Sequence, residues 1–536
     1  MGEHDDEVVW NVADLVRRAA RRNPDRDALR SEAGALTWAE LDAKVTAAAT
    51  VLLRLGLQAG DRVALQLGNT FDFPVLYFGA LRAGLVAVPA NPAYTVPELS
   101  YLLADSGAGV LVTSSVATIE AADRLHAELA ALRHLVVAAP SGPDGTESLP
   151  GLLALAPAAG AEPPQPAHPV QAVQAVQAVR GGEDLAVLLY TSGTSGRPRG
   201  AMLPHRALLA NLDQCGAIRP PVIGPDDVLL LVLPLCHVYG LNPGLGMLAW
   251  AGCTGVLVDR FDPADTLAVM SRHGVTNVPA APQMYAAWAA QPGLRDGFAS
   301  VRVALSGAAP LPPVTLARFA DAGIALYEGY GLTETAPVLT STVVGRRPKA
   351  GAGGRPIPGV EVMLQDATNE PVEDDDPGEI VVRGANLFTG YWPDSSGGPD
   401  ADGWFPTGDV AYADDDGDLH LVDRRRELII VSGFNVYPAE VETVLLGHPA
   451  VADVAVIGRP DDRTGEAVVA YVVAEPGQSP APESLLDWAA RSLARFKLPA
   501  SIVFVAELPY SATGKISKAR LREAAAYHDQ NVAPSR

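Results

Sequence analysis

The first third of the chain alternates strand-like apolar runs with helix-like segments, and this order limits the fold more than any other feature. The strand-like runs lie at residues 62–67, 85–89 and 110–113, and the helix-like segments at 37–55 and 97–106. A strand, a helix and a second strand in succession form the unit that builds parallel sheets. The sequence therefore predicts an α/β fold.

Length and composition define the broad class of protein. At ~100–200 residues per domain, a chain of 536 residues predicts two to four domains. With 48% hydrophobic and 19% charged residues, the chain has the composition of a folded protein. Its 62 acidic and 40 basic residues give a net charge of −22, which disfavours a broad surface for nucleic acid or anionic lipid.

Cysteine usage and the start of the chain bear on location. The chain has three cysteines, Cys215, Cys236 and Cys253. Because this number is odd and no CxxC spacing occurs, neither a disulfide framework nor a structural zinc site is indicated. The acidic start has neither the basic nor the apolar region of a secretory signal. We expect a cytoplasmic protein.

A long uncharged stretch at 228–258 raises the question of a membrane span. Prolines and glycines interrupt it and divide it into a short apolar run, a loop, a helix-length piece and another short run. The sequence predicts a buried part of the α/β core and no transmembrane segment.

Composition also suggests domain boundaries. Residues 140–180 are rich in Pro, Ala and Gly and include QAVQAVQAV, which predicts a loop or linker. A basic run at 424–426 marks a boundary between a domain at 1–423 and a smaller one at 424–536. Short strands at 452–457, 467–473 and 502–505 and a helix at 483–493 predict that the smaller domain is α+β.

One segment has the composition of a phosphate-binding loop. Residues 190–200, YTSGTSGRPRG, contain four Ser/Thr hydroxyls and three glycines directly after an apolar strand at 185–189. Glycines let backbone N–H groups face an anion, and hydroxyls add further donors to phosphate oxygens. The Gly-Lys-Ser/Thr of a Walker A loop is absent, which argues against P-loop kinases and GTPases.

Six further motifs follow in a fixed order. They are LPLCHVYG at 233–240, YEGYGLTET at 327–335, GEIVVRGANLFTGYW at 378–392, WFPTGD at 404–409, DRRRELIIVSGFNVYPAEVE at 423–442 and SATGKI at 511–516. Together with the phosphate-type loop, this series resembles the adenylate-forming superfamily over nearly the whole chain. NPAYT at 91–95 and GFNVYPAEVE look most like its fatty acyl-CoA and aryl-CoA ligases.

This resemblance implies a large multi-subdomain N-terminal adenylate-forming domain and a small, mobile C-terminal lid. It also implies an activity. A carboxylic acid is joined to the α-phosphate of ATP with release of pyrophosphate, and the acyl group then passes to CoA. ATP, Mg²⁺ and CoA are the expected cofactors. The alternatives are an acyl-AMP ligase that loads an acyl carrier protein and, from another class, a nucleotide-binding module without turnover.

The resemblance assigns roles in ATP binding. A cradle for the β- and γ-phosphates is formed by Thr191, Ser192, Gly193, Thr194, Ser195 and Gly196. Glu334, with Thr191, would hold Mg²⁺, because hard cations prefer oxygen ligands. The segments around adenine and the α-phosphate contribute Gly307, Ala308, Glu328, Gly329, Tyr330, Gly331 and Thr333. Asp409 and Arg424 would bind the ribose, where a carboxylate can accept both hydroxyls.

Lys515 is the predicted catalytic cation. The chain has thirty-five arginines and only five lysines. A compact ammonium on a flexible stem can reach between the acyl carboxylate and the α-phosphate more easily than a broad guanidinium. We interpret Lys515 as the group that neutralises charge during adenylation.

The remaining assignments concern the acid, the thiol and the hinge. His237, Val238, Tyr239 and Gly329 would line the acyl site, with His237 gating the substrate. Relatives that use malonate tend to carry Arg where this chain has Gly329, so the resemblance favours an apolar fatty or aryl acid. Gly433 would approach the pantetheine arm of CoA, and Arg426 stands at the hinge position.

Two acidic clusters, at 374–376 and 414–416, invite a comparison with calcium sites. In the second cluster, an EF-hand frame with Gly417 in sixth place would put Tyr412 in first place. An Asp-Gly hairpin turn is the better interpretation.

Overall fold

A computed structural model describes most of the chain. The described residues are 9–155, 181–191, 198–366, 368–372, 376–424, 429–431, 434–436, 438–461, 465–493, 495–510, 516–518 and 520–523.

Contacts between residues divide the chain into two compact units. The first comprises Met1–Glu361 and Arg383–Phe405, and the second Val362–Val382 and Pro406–Arg536. The sequence predicts a different kind of boundary, at 423/424, where a mobile C-terminal lid would begin. That boundary stays a prediction.

The strands up to residue 356 belong to the first unit. They are β1 (Asp27–Ser31), β2 (Gly34–Thr37), β3 (Arg62–Gln66), β4 (Val86–Pro89), β5 (Val110–Thr113), β6 (His134–Val137), β7 (Glu147–Ser148), β8 (Leu185–Thr191), β9 (Arg199–Pro204), β10 (Val228–Leu231), β11 (Thr254–Leu257), β12 (Asn277–Ala280), β13 (Val303–Ser306), β14 (Leu326–Gly331), β15 (Val338–Ser341) and β16 (Arg355–Pro356).

The α-helices of the first unit connect these strands. They are α1 (Asp14–Arg22), α2 (Trp38–Arg54), α3 (Asp72–Arg82), α4 (Val96–Ser106), α5 (Val116–Glu120), α6 (Ala122–Glu128), α7 (Leu149–Ala154), α8 (His205–Gly216), α9 (Met247–Ala251), α10 (Pro263–His273), α11 (Pro282–Ala289), α12 (Leu294–Gly297), α13 (Pro313–Asp321) and α14 (Thr342–Gly345). A π-helix spans Gly240–Gly246, and a 3-10 turn spans Thr333–Thr335.

Two mostly parallel sheets organise this unit. The seven-stranded sheet has the order β7-β6-β5-β3-β4-β8-β9, and only the β8–β9 pair at its edge is antiparallel. The nine-stranded sheet has the order β16-β15-β14-β13-β12-β10-β11-β1-β2, with parallel pairing from β14 through to β1. The predicted parallel α/β fold is confirmed.

An aromatic core supports the strands that carry the site. Tyr285, Trp288, Phe298 and Phe319 are buried together, and the ring centroids of Tyr285 and Phe319 lie 5.3 Å apart, edge to face. Buried residues of β10, β12, β13 and β14 belong to the same cluster. Burial of large rings in offset contact favours a rigid base for the loops that follow these strands.

The uncharged stretch at 228–258 forms core elements. It contains β10, the π-helix, α9 and β11, and most of its large side chains are buried. These elements agree with the predicted division into a short apolar run, a loop, a helix-length piece and another short run, and with the predicted burial in the α/β core. Among the residues described, no helix has both the length and the apolar character needed to cross a membrane.

The segment predicted as a loop or linker at 140–180 begins with regular structure. β7 and α7 occupy residues 147–154, and Leu149 is buried. These elements are too short for a periodic pattern to reveal them among Pro, Ala and Gly. Residues 156–180, including the QAV repeat, lie outside the described residues.

The elements described beyond residue 356 include nine strands and two α-helices. They are β17 (Val360–Gln365), β18 (Gly378–Gly384), β19 (Trp404–Ala413), β20 (Leu419–Arg424), β21 (Ile429–Val431), β22 (Phe434–Val436), β23 (Val451–Asp461), β24 (Gly465–Ala474) and β25 (Ser501–Phe504), with α15 (Pro438–Leu446) and α16 (Pro482–Ala489). A 3-10 turn spans Arg495–Lys497.

These strands form two sheets. One has the order β17-β18-β19-β20, and the other the order β22-β21-β24-β23 with β25 parallel to β24. Val441, Leu445 and Leu485 of the two helices pack with residues of β23 and β24 in a separate core. The predicted α+β character of the C-terminal region agrees with these elements.

The acidic cluster at 414–416 forms a hairpin between β19 and β20. Gly417 has a φ of +79°, and its N–H donates to Asp414 O at 2.7 Å. The carboxylates of Asp414, Asp416 and Asp418 lie within 4.8 Å of one another. Asp414 Oδ1 accepts the N–H groups of Asp416 and Asp418, which is the usual behaviour of Asp in a tight turn.

Candidate active site

Two loops leave neighbouring parallel strands at the same edge of the nine-stranded sheet. Gly307 and Ala308 follow β13, while Gly331 ends β14 and is followed by the turn that carries Glu334. Ser306 and Glu328 are register partners on these strands. Ligands of parallel α/β sheets bind at the carboxyl ends of the strands, and this edge is where the predicted adenine and metal residues lie.

Glu328 ties the loop after β13 to strand β14. Its Oε1 accepts the N–H of Leu311 at 3.0 Å, and its own N–H donates to Thr342 Oγ1 at 2.8 Å. Only 7% of the residue is exposed, and this burial raises the pKa of the carboxyl to about 7. Ala308, in the same loop, has a φ of +73°, an unfavourable value for a residue with a Cβ.

Glycine is required at Gly331. A Cβ there would overlap the carbonyl oxygen of Pro337, on the chain that returns beside β14. At Gly307 an added Cβ would lie 3.0 Å from the ring of Tyr239, so the loop passes closely over that ring. Tyr330, predicted to face adenine, is half-buried and pairs with Thr340 of β15.

Glu334 lies on the 3-10 turn at Thr333–Thr335. The residue is 8% exposed, and its Oε1 accepts a hydrogen bond from Tyr391 Oη at 2.6 Å. The carbonyl of Glu334 accepts the N–H of Phe388 at 2.9 Å. Thr335 is fully buried and donates its hydroxyl to Pro337 O at 2.6 Å. Thr333 begins the turn and is half-buried.

Four buried amide side chains, none of which the sequence pattern predicts, clamp the segment around this turn. Asn386 Nδ2 donates to Thr335 O at 2.8 Å, and Asn242 Nδ2 donates to Ala336 O at 2.8 Å. Asn211 exchanges two hydrogen bonds with the backbone of Val338, at 2.8 and 3.1 Å, and Gln214 Nε2 donates to Asn386 Oδ1 at 3.2 Å. Asn386 lies in the motif at 378–392, but no local pattern predicts its partner 51 residues away.

Three of the four predicted acyl residues lie between β10 and the π-helix, whereas the fourth, Gly329, lies on β14 as the register partner of Ser341. His237 is half-buried, and its Nδ1 accepts the N–H of Tyr239 at 3.3 Å. Val238 is buried. Tyr239 Oη donates to Leu305 O of β13 at 3.0 Å, and burial raises the pKa of this phenol. Tyr239 thus lies beside Gly307, which brings a predicted acyl residue next to a predicted nucleotide residue.

The phosphate-type loop joins two antiparallel strands. Thr191 ends β8 and pairs with Arg199 at the start of β9. Ser192, Gly193, Thr194, Ser195 and Gly196 lie outside the described residues. β9 lies against the turn that carries Glu334, so the two ends of this loop emerge near the predicted metal ligand.

The predicted ribose residues are paired across a hairpin in the second unit. Asp409 of β19 is the register partner of Arg424 of β20. The N–H of Asp409 donates to Thr407 Oγ1 at 3.1 Å. Arg426, Gly433 and Lys515 lie outside the described residues, so their roles remain predictions.

These features define a class of protein. The carboxyl ends of β13 and β14 present loops of small residues, a half-buried tyrosine and a buried carboxylate beside the phosphate-type hairpin β8–β9. This is the arrangement of a nucleotide-dependent α/β enzyme.

Comparison with known proteins identifies the family. The model of the AMP-binding enzyme family matches residues 16–392, and that of the AMP-binding enzyme C-terminal domain matches residues 440–515. The chain therefore belongs to the AMP-binding enzymes, with a large N-terminal and a small C-terminal domain. The resemblance to adenylate-forming enzymes is confirmed.

Individual relatives cover nearly the whole chain. A feruloyl-CoA synthase from Amycolatopsis sp is 39% identical over 509 residues, 94% of this chain and 97% of the relative. A long-chain-fatty-acid–CoA ligase from Escherichia coli O157:H7 is 33% identical, with 96% and 94% covered. The structure of ATP-bound MatB from Rhodopseudomonas palustris is similar at a TM-score of 0.85 and 34% identity, with 96% and 99% covered.

Proposed function

We propose that this protein is an ATP-dependent acyl-CoA synthetase, an acid–thiol ligase that acts on an apolar carboxylic acid. The observation that carries the proposal is similarity over almost the full length to CoA-forming ligases of an aryl acid and of long-chain fatty acids. ATP and CoA are its co-substrates.

Aryl-substituted acids of the ferulate type are the first substrate class to test. The identity of 39% to a feruloyl-CoA synthase exceeds the 33% to a long-chain-fatty-acid–CoA ligase. The ring of Tyr239 lies against Gly307, so a flat apolar surface borders the predicted site. Medium- and long-chain fatty acids are the second class.

The reaction has two steps. A carboxylate oxygen of the acid attacks the α-phosphorus of ATP, the bond to the β-phosphate oxygen breaks, and pyrophosphate leaves. The thiolate sulfur of CoA then attacks the acyl carbon, and AMP leaves with the electrons of the carbon–oxygen bond. Both steps concentrate negative charge, so charge neutralisation and positioning are the main catalytic requirements.

The residues of this chain divide that work. Lys515 neutralises charge between the carboxylate and the α-phosphate, and Tyr330 and Asp409 bind adenine and ribose. His237 controls access to the acyl site. Glu334 and Thr191 supply a carboxylate and a hydroxyl, an oxygen donor set that fits Mg²⁺. When bound, Mg²⁺ supplies positive charge next to the phosphate oxygens.

Two finer points belong to the proposal. Gly433 contacts the thiol-bearing arm of CoA, and Arg426 is the hinge of a movable C-terminal lid. An acyl carrier protein is the alternative acceptor, because it presents the same phosphopantetheine thiol. The chain has three cysteines, an odd number without CxxC spacing, and this absence of a disulfide pattern supports a cytoplasmic location.

The test is pyrophosphate release from MgATP with each of a series of acids, with and without CoA. The series runs from acetate through octanoate to palmitate and adds benzoate, cinnamate and ferulate, with thioesters identified by mass spectrometry. We expect feruloyl-CoA or cinnamoyl-CoA to form fastest. Palmitoyl-CoA as the main product would move the assignment to fatty acids.

The acceptor is decided by the same experiment. Acyl-AMP that accumulates and is not converted when CoA is added would contradict the CoA assignment and favour a carrier protein. Pyrophosphate release with none of the acids would contradict the proposed substrate classes.

A further inference from the structure

Tyr391 makes a short hydrogen bond to the predicted metal ligand. Its hydroxyl donates to Glu334 Oε1 at 2.6 Å, within the range for a hydroxyl donating to a carboxylate. Glu334 is 8% exposed, so water competes little for this oxygen. The two residues are 57 positions apart in the sequence and both belong to the first unit.

Both the backbone and the ring of Tyr391 are held by neighbouring residues. Its backbone forms a β-bridge with Ala201 of β9, and its N–H donates to Ser396 O at 2.9 Å. Phe388 contacts the ring edge to face, with centroids 5.1 Å apart. These contacts fix the position from which the Tyr391 hydroxyl donates to Glu334.

Arg199 connects this tyrosine to the phosphate-type loop. The guanidinium carbon lies 3.7 Å from the centroid of the Tyr391 ring, a cation–π arrangement. Arg199 is the first residue of β9 and the register partner of Thr191, so it marks the point where the loop rejoins the sheet. One ring thus contacts both a residue of the loop boundary and the carboxylate of Glu334.

A hydrogen bond to one carboxylate oxygen fixes the rotation of the group and therefore the direction of the other oxygen. Partners that orient a metal-binding side chain in this way commonly change metal affinity by about 10–100-fold when they are removed.

We propose that Tyr391 is a positioning residue that orients Glu334 toward the Mg²⁺ of MgATP, with Arg199 stacked on its ring. The proposal rests on the role of Glu334 in the proposed function. It gives a role to Tyr391, which lies in the motif at 378–392 but received no role from the resemblance, and it explains the position of Arg199 over the Tyr391 ring.

The test is Tyr391→Phe, which removes the hydroxyl and keeps the ring. Calorimetry measures ATP binding with and without Mg²⁺, and direct Mn²⁺ titration in the presence of ATP gives the metal affinity. In the wild type, Mg²⁺ should increase the affinity for ATP. In Tyr391→Phe we expect this increase to be smaller by a factor of about 10 or more. ATP binding without metal should be unchanged.

Tyr285→Phe is the matched control. Tyr285 is buried in the core, and its hydroxyl donates to Val278 O at 2.6 Å. This variant also loses a buried hydroxyl and some stability, but it should keep the wild-type dependence on Mg²⁺. The positioning role is wrong if Tyr391→Phe binds Mg²⁺ and ATP as the wild type does. It is also wrong if this variant loses as much affinity for ATP without Mg²⁺ as it loses with Mg²⁺.

A second variant, Arg199→Lys, tests the link to the loop and changes no contact of Glu334 directly. Loss of the planar stack should weaken the effect of Mg²⁺ on ATP binding by a few-fold, less than Tyr391→Phe does. An effect equal to zero would overturn the part assigned to Arg199. None of these measurements needs an acid or CoA, so failure of the acyl-CoA assay would leave this test intact.

Discussion

Glu328 and Glu334 are six positions apart, both buried, and differently partnered. Glu328 accepts a backbone N–H from Leu311, whereas Glu334 accepts the hydroxyl of Tyr391. Burial raises the pKa of Glu328 to about 7, because one backbone donor does not replace the hydration of a carboxylate. Two glutamates on one short segment therefore have different hydrogen-bonding environments.

The raised pKa of Glu328 predicts a pH-dependent stability. In the unfolded chain its carboxyl ionises near pH 4.5, and in the folded protein near pH 7, so folding favours the protonated form. Its contribution to the free energy of unfolding is full below pH 4.5 and is lost as the pH rises to about 7. We expect the stability of Glu328→Gln relative to the wild type to increase over this interval, by up to about 3 kcal/mol. Urea unfolding at several pH values measures it.

The control is Glu120→Gln at the exposed end of α5. This variant should follow the wild-type pH profile. A profile for Glu328→Gln that runs parallel to that of the wild type would show that the carboxyl is not the source of the pH dependence.

At the scale of elements, the turn carrying Glu334 depends on side chains from other elements. Asn242 of the π-helix and Asn386 donate to the carbonyls of Ala336 and Thr335, and Asn211 and Gln214 of α8 add further hydrogen bonds. A buried carbonyl without a donor is costly, so each amide contributes to holding the turn in one conformation. The π-helix thus supports the predicted metal ligand as well as the acyl residues beside it.

Asn386→Ala should weaken this clamp. It removes the donor to Thr335 O and an acceptor for Gln214. We expect a loss of about 1–3 kcal/mol in the free energy of unfolding and a higher KM for ATP in the pyrophosphate assay. Both can be measured on the same preparation.

Asn277→Ala provides the comparison. Asn277 is buried on β12 and donates to Val222 O at 2.6 Å, away from the turn. It should lose similar stability and keep the wild-type KM for ATP. Equal changes of KM in both variants would show that stability alone is being measured.

At the scale of the whole molecule, the predicted site residues belong to two compact units. Glu334, Tyr330 and Thr191 lie in the first, and Asp409 lies in the second, whose range also includes position 515. Each unit has its own core, which is a condition for domains that move as rigid bodies. The movement of a C-terminal lid remains a prediction.

Lys515→Ala should separate the two steps of the reaction. Loss of one positive group at the reacting centre should reduce carboxylate-dependent pyrophosphate release by about 10²–10³-fold. Formation of acyl-CoA from synthetic acyl-AMP and CoA should remain near the wild-type rate, because that step no longer involves the phosphate chain. Both rates are measured by mass spectrometry of the thioester and by release of pyrophosphate.

Lys497→Ala is the control. Lys497 forms an ion pair with Glu440 in the second unit, at 2.7 Å. Its loss should leave both rates close to those of the wild type. If Lys515→Ala releases pyrophosphate normally, Lys515 is not the group that neutralises charge in adenylation.

The amino-acid sequence by itself determined the parallel α/β class, the strands β3, β5 and β8, and the family. The class and the strands follow from local periodicity, which depends only on neighbouring residues. The family follows from motifs in a fixed order along the chain. The same reasoning placed Glu334, Tyr330 and Gly307 in the predicted site, and the structure brings their loops to one sheet edge.

Only the tertiary structure decided which side chains hold those residues in place. Tyr391 meets Glu334 across 57 positions, Asn242 meets Ala336 across 94, and Tyr239 meets Leu305 across 66. Such contacts arise from the packing of separate elements, and a hydrogen bond between distant residues leaves no periodic signal in the chain. Burial of Glu328, and with it the raised pKa, is likewise a property of the packed fold and not of the residue.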